Sequence, residues 1–311
     1  ATSARRLVSV PGMDEFVRVK VGKVNGRYVA SPLARGAGAI MSLVRADGYV
    51  EIPGSSQGIL ESSEVVVNLL RDVEEIDNAI VAIGSHDLAL DLLGSLLAGE
   101  YPGVNLSSTH VGSMGGIMAM RRGEAHIAGV HLLDEETEEY NVPYVKRYLD
   151  SKDYALLNLV YREQGLIVAP GNPKDIQGIS DLVKPGISFV NRQRGAGTRI
   201  LLDLERRKLG IAEDEISGYE HEEYTHMGVA ASVANSVADA GLGIRSAARA
   251  LGLDFVPVAW ERYDLLMTKE FLHSSSMDKL LSIILSPQFK SQVSALGGYD
   301  VSRSGEVMWE G

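Results

Sequence analysis

The chain has 311 residues, 45% of them hydrophobic and 23% charged, with a formal net charge of -11. That length predicts two or three domains, and the acidic balance excludes the broad basic surface that nucleic-acid binding needs. No apolar run approaches the roughly 18 residues of a membrane span, and a chain with no cysteine has no disulfides, thiolate metal sites or cysteine nucleophile.

The first residues, Ala1-Thr2-Ser3-Ala4-Arg5-Arg6, lack both an initiator Met and an apolar signal core, so the chain reads as trimmed or as a piece of a longer one, and the absence of cysteine is compatible with a cytoplasmic location. Short strands follow. Phe16-Val17-Arg18-Val19-Lys20-Val21 alternates at period two, Asn25-Gly26 is a hairpin signal, and Tyr28-Val29-Ala30 begins the return strand. Gly48 to Pro53 and Glu64 to Leu70 are further strand candidates. These elements predict a small β-barrel or sandwich of about 70 residues. The polar stretch Arg71 to Asp77 reads as a linker.

From Ala79 the pattern becomes strand–helix alternation. Ala79 to Gly84 is a buried-strand run, and Leu88, Leu92, Leu93, Leu96 and Leu97 fall at helical spacing. Val104 to Thr109, Met114 to Gly123 and Ala125 to Val130 continue as strand, helix and strand. Ile187 to Leu209 repeats the strand–turn–helix unit, and Ala238 to Ile244 echoes Glu124 to Val130. Such alternation implies a mostly parallel sheet with ligands at the carboxyl ends of its strands. Two similar α/β lobes with a cleft between them are expected.

Three turns carry the chemistry. Gly84-Ser85-His86-Asp87 and Val111-Gly112-Ser113-Met114-Gly115-Gly116 each pair hydroxyl or imidazole groups with a helix start. Asn191-Arg192-Gln193-Arg194-Gly195-Ala196-Gly197-Thr198-Arg199 adds a third, with Thr198 as a hydroxyl donor and Arg194 and Arg199 as charges. Free N–H groups and the positive end of the helix dipole make such turns anion sites, although any one alone is usually just a capped turn. The expectation is that all three meet on one guest. Nucleotide binding is disfavoured, because Gly195-x-Gly197 lacks a third glycine in register and no Gly-Lys-Ser/Thr occurs. No HExxH is present, and Gly54-Ser55-Ser56-Gln57-Gly58, although of Gly-x-Ser-x-Gly form, lies among the short strands and not at a strand-to-helix nucleophile elbow, so neither a metal site nor a catalytic residue is assigned. The run Asp134 to Glu139 reads as a solvated loop.

Residues from about 77 to 311 resemble the periplasmic-binding-protein-like domain family, and in particular its molybdate and tungstate binders. The resemblance rests on the first two turns, on Arg122-Gly123-Glu124-Ala125-His126-Ile127-Ala128-Gly129, on the Asn191 to Arg199 segment and on Ala238-Asp239-Ala240-Gly241-Leu242-Gly243. It implies a ligand held between the lobes by Ser85, Ser113, Gly197 and Thr198, with His86, Arg194 and Arg199 beside them. The secreted tungstate binders have a Thr/Ser-rich first turn, whereas here His86 follows Ser85. Lobe I would cover about 77–161 plus 260–311, and lobe II about 162–259.

Residues 1–73 resemble the C-terminal β-barrel domain of molybdopterin molybdotransferases. The resemblance rests on Glu15-Phe16-x-Arg18-Val19, on Pro32-Leu33-x-x-x-Gly36-x-Gly38-x-x-x-Ser42-Leu43-x-x-Ala46-Asp47-Gly48 and on Ile52-Pro53. It implies a cofactor cleft to which Arg18, Gly38 and Ser42 are candidate contacts, completed by a partner subunit, so that a homodimer would form through the parent chain. The whole is therefore expected to be multidomain, a small all-β barrel followed by a two-lobed α/β domain. Its expected role is to capture molybdate, tungstate or a related oxyanion as the C-terminal part of a molybdenum cofactor biosynthesis protein, without a membrane or nucleic-acid partner. Two alternatives follow from the same resemblance: part of a molybdotransferase, with molybdopterin and Mg in the parent enzyme and a pterin phosphate in the α/β module, or a small-molecule-sensing regulatory module.

Overall fold

The computed structural model describes residues 1–33 and 46–311. Two long strands, Tyr154–Val168 and Asp254–Thr268, are its spine. They pair antiparallel along their length, from Tyr154 opposite Thr268 to Val168 opposite Asp254, with irregularities between Asn158 and Val160 and between Gln164 and Gly165. Near one end Ile127–Val130 joins Asp254–Thr268, followed by the parallel strands Ala79–Gly84 and Asn105–His110. Near the other end Ala240–Ile244 joins Tyr154–Val168, followed by the parallel strands Phe189–Arg192 and Glu222–Glu223. The two halves are the lobes, and the middle of the spine is the floor between them.

Helices cover both faces in each lobe because their apolar stripes have nowhere else to be buried. In lobe I, Leu90, Leu93 and Leu97 of the helix Leu88–Glu100 pack with Ile80, Leu157 and Leu265 of the sheet and with Leu280, Ile284 and Phe289 from the C-terminal helices. On the opposite face, Ile117 and Met120 of the helix Gly112–Arg122 pack on Val81 and Ile83. In lobe II the helix Gly197–Lys208 contributes Leu201 and Leu202 to a core with Phe189 and Leu242, and the helix His226–Ala234 contributes Val229 and Val233 to a core with Ile167 and Val190. Among the described residues no helix is long and apolar enough to cross a membrane.

The N-terminal part is a five-stranded sheet in the order Thr2–Ser3, Arg27–Pro32, Glu15–Val24, Gly48–Ile52, Asn68–Leu69, with Leu7–Val8 and Gly58–Ile59 paired as a separate ribbon. An isolated antiparallel bridge between Thr2 and Glu64, with hydrogen bonds from Ser3 N–H to the Ser63 carbonyl and from Val65 N–H to the Ala1 carbonyl, ties the first edge of this sheet to the stretch leading into the last strand. Asn25, at a positive φ of 50°, and Gly26 form the expected hairpin turn. The stretch read as a linker contains the short helix Val73–Asp77, whose Ile76 is buried with Val19, Val21 and Val50. Asp77 adds to this anchor by accepting from Lys23 at 2.8 Å and Tyr28 at 2.7 Å.

The two parts share a core. Ala4, Val24 and Val29 of the N-terminal sheet are buried together with Val81, Ile117 and Met120 of lobe I. Contact is close enough that a Cβ on Gly22 would come within 2.1 Å of Val81 Cγ2. Fully burying one such side chain contributes about 1.5–3 kcal/mol, so the sheet is firmly seated on lobe I. The acidic run Asp134 to Glu139 is also more than a solvated loop. Asp134 is buried and accepts from the N–H groups of Glu136 and Thr137. Glu135 and Glu138 reach across to lobe II, pairing with Arg207 at 2.5 Å and Lys208 at 3.0 Å.

Candidate functional site: a polar floor between two lobes

His131 is the hub. It follows the strand Ile127–Val130 and is buried. Its Nδ1 lies 2.7 Å from Glu261 Oε1, its Nε2 lies 2.8 Å from Ser85 Oγ, and its backbone N–H donates to Ser113 Oγ at 3.2 Å. An anionic carboxylate only accepts, so it fixes the proton of a neutral imidazole on Nδ1 and leaves Nε2 to accept from Ser85. The Tyr263 ring stacks on His131 with centroids 5.8 Å apart, and its hydroxyl donates to the Ser85 carbonyl.

Lobe II meets His131 from the other side. A Cβ on Gly197 would stand 2.9 Å from His131 Nδ1 and 3.0 Å from the His131 carbonyl oxygen, so only glycine lets this helix start approach so closely. Thr198 Oγ1 donates to Gln164 Oε1 at 3.3 Å, and Gln164 Nε2 donates to Glu261 Oε2 at 2.7 Å. Neither the helix Gly197–Lys208 nor the helix Gly112–Arg122 has a side-chain cap at its N-terminus. The helix Leu88–Glu100 differs, because Asp87 Oδ1 accepts from Ala89 N–H at 2.8 Å and satisfies that end internally.

Two guanidiniums occupy the floor. Arg162 donates to Glu261 at 2.5 Å and to Asp87 at 2.7 Å, while Tyr299 donates to the same Asp87 oxygen at 3.1 Å. Burial works to raise the Glu261 carboxyl, but Arg162, His131 and Gln164 overcome it and hold the carboxyl well below the usual range. Burial likewise works to lower Arg162, and Glu261 and Asp87 reverse that. Arg192, only 8% exposed, ends the strand Phe189–Arg192 and donates to the carbonyls of Glu223 and Tyr224 and to the Gln193 side chain. It has no carboxylate partner among the described residues, and burial lowers it to about 10, so it is still charged at neutral pH. Arg162 Nη2 and His226 Nδ1 are buried without a hydrogen-bond partner. Burial and the fields of Arg192 and Arg162 push His226 well below its ordinary value, so its ring is neutral.

Of the residues expected from sequence, Ser85, Ser113, Gly197 and Thr198 thus lie around His131 and Gln164. The other three lie elsewhere. His86 is on the exposed rim, 2.8 Å from Asp91. Arg194 is exposed and pairs with Glu220 at 3.2 Å. Arg199 is buried within lobe II, stacked 4.1 Å from the Tyr219 ring centroid and donating to the carbonyls of Arg192 and Tyr219. Arg18 lies on the N-terminal sheet opposite Tyr49, and Gly38 and Ser42 lie outside the described residues. His131, Arg162, Gln164 and Glu261 were missed. For Arg162, Gln164 and Glu261 the available signal was the polar runs Arg162-Glu163-Gln164 and Glu261-Arg262 interrupting otherwise apolar strands. A separate cavity of about 490 Å³ lies on lobe II between Asn172, Arg245 and Phe255, and none of the His131 group lines it.

Two lobes on a shared pair of crossing strands, with uncapped helix starts facing a polar floor, define a two-lobed α/β ligand-binding fold. The chain belongs to the PBP superfamily, whose domain matches residues 94–285, and residues 1–70 match the MoeA C-terminal region (domain IV). It is 35% identical to the protein YvgK of Bacillus subtilis (strain 168) over 241 residues, covering 78% of this chain and 77% of that one. Its fold is similar to that of a phosphate ABC transporter substrate-binding protein with bound phosphate from Clostridium perfringens, at a TM-score of 0.53 and 15% identity over 70% of this chain and 98% of that one. It is also similar to the tungstate ABC transporter from Geobacter sulfurreducens, at 0.51 and 14% over 70% and 98%.

Proposed function

We propose that the α/β module binds a small oxyanion, molybdate or tungstate, between its lobes, and that the chain is the C-terminal part of a molybdenum cofactor biosynthesis protein. On this reading residues 1–73 and 77–311 are separate functional modules. The observation that carries it is Arg192, a buried cation with no carboxylate partner among the described residues. An uncompensated buried charge costs several kcal/mol, and an anion beside Arg192 offsets that cost. Arg192 Nη1, which makes no hydrogen bond among the described residues, and the partnerless Arg162 Nη2 and His226 Nδ1 are further groups available to a ligand. The uncapped starts at Gly112 and Gly197 add backbone donors and the favourable ends of two helix dipoles.

The commitments of Arg194 to Glu220 and of Arg199 to lobe II carbonyls favour a small ligand over a pterin phosphate, because they remove the two charges that a larger phosphorylated guest would use. Calorimetry on the full chain with molybdate, tungstate, phosphate and sulfate tests the proposal. Molybdate or tungstate should bind most tightly, and Arg192→Met should weaken binding by about 10- to 100-fold, the worth of one charge-assisted hydrogen bond of about 1.5–3 kcal/mol. Silence with all four ions would refute anion capture, and a clear preference for phosphate would refute the choice of metal oxyanion.

A further inference from the structure

We propose that His86, Asp91 and His110 form a second site, for a divalent transition-metal ion of the zinc, copper or nickel type. The three side chains are exposed, and one ligand atom from each lies within 4.8 Å of the other two. His86 Nε2 is 2.8 Å from Asp91 Oδ2, and the two imidazole rings meet edge to face with centroids 4.4 Å apart. Around a tetrahedral ion with bonds of about 2.0–2.1 Å, ligand atoms stand about 3.4 Å apart. The three groups reach that spacing by small side-chain adjustments, without backbone movement.

The fold presents these residues from rigid supports. Gly84 and His110 are opposite one another on neighbouring parallel strands, and His86 follows Gly84 by two residues. Asp91 stands in the first turn of the helix Leu88–Glu100, whose start is pinned by Asp87. Two imidazoles and one carboxylate suit borderline metals, and the chain has no thiolate to compete. Three protein ligands on an open rim leave a coordination position for water or an incoming ligand. The site shares no residue with the His131 cluster and does not depend on the anion reading.

The test is titration of the full chain with Zn²⁺ by calorimetry and with Co²⁺ by visible absorption. One equivalent should bind, with a cobalt spectrum of tetrahedral or five-coordinate type. His86→Ala and His110→Ala should each weaken binding by at least about tenfold, Asp91→Asn should weaken it less, and His273→Ala, at another exposed histidine, should leave it unchanged. Absence of binding overturns the proposal, as does binding that survives in the double variant His86→Ala, His110→Ala. Because the altered side chains are exposed, the variants should keep the wild-type melting temperature. Molybdate binding measured on the same double variant separates failure of this site from failure of the anion site.

Discussion

Arg162 and Arg192 are both buried in the floor between the lobes, yet they meet the cost of burying a charge in opposite ways. Arg162 sits mid-spine with a carboxylate on either side, Glu261 and Asp87. Arg192 stands at the end of a lobe II strand with only carbonyl and amide oxygens around it. A buried pair broken on one side is far more costly than a pair replaced as a whole. The first arrangement therefore holds the spine together, while the second leaves a charge for something else to satisfy.

Substitution separates the two most strongly. Arg162→Met should destabilise the protein by about 3–5 kcal/mol, because Glu261 and Asp87 lose their common cation. Arg192→Met relieves the cost of an unpaired buried charge while forfeiting its bonds to the Glu223 and Tyr224 carbonyls, and should leave the protein at least as stable as wild type. Urea unfolding of both variants reads the difference. Equal losses would erase the distinction drawn between them.

Acid comes next, because Arg192 helps to depress His226. Burial also lowers His126, which accepts from Val81 N–H at 3.0 Å, to about 4. The unfolded chain takes up protons on these histidines near their ordinary 6.5, whereas the native state holds them neutral. Their contribution to stability is therefore complete above about pH 6.5 and declines on acidification, by up to about 1.4 kcal/mol per pH unit for each ring. For His126 that decline stops near pH 4. Melting temperatures between pH 7.5 and 5 should fall, and His226→Gln should make the fall shallower. A flat profile would show that neither ring is held neutral.

A further effect concerns the His131 hub. Ser113→Ala leaves the buried His131 N–H without its acceptor and should cost about 1–3 kcal/mol, less than Arg162→Met. A loss below a few tenths of a kcal/mol in thermal unfolding would mean that water replaces the hydroxyl.

What was legible in the sequence was local. Strand–helix alternation and the Gly-Ser and Gly-Thr turns announce themselves within a few residues, because backbone conformation and helix starts are set by nearest neighbours. The turns that carry Ser85, Ser113, Gly197 and Thr198 could therefore be placed in advance. Glu261 and Arg162 could not be paired, since they lie 99 residues apart and meet only because Tyr154–Val168 and Asp254–Thr268 run side by side. The charges on Arg194 and Arg199 were visible, but their directions were not. Which face of a turn a long side chain takes depends on Glu220 and Tyr219, from a different part of lobe II.

The bridges from Glu135 and Glu138 to Arg207 and Lys208 lie at the surface, where such pairs contribute about 0–1 kcal/mol each. Dissolved electrolyte screens them over a length of about 8 Å at physiological ionic strength. The clasp at this edge is accordingly weak, and the surrounding salt tunes how tightly the two halves are held without touching the floor beneath them.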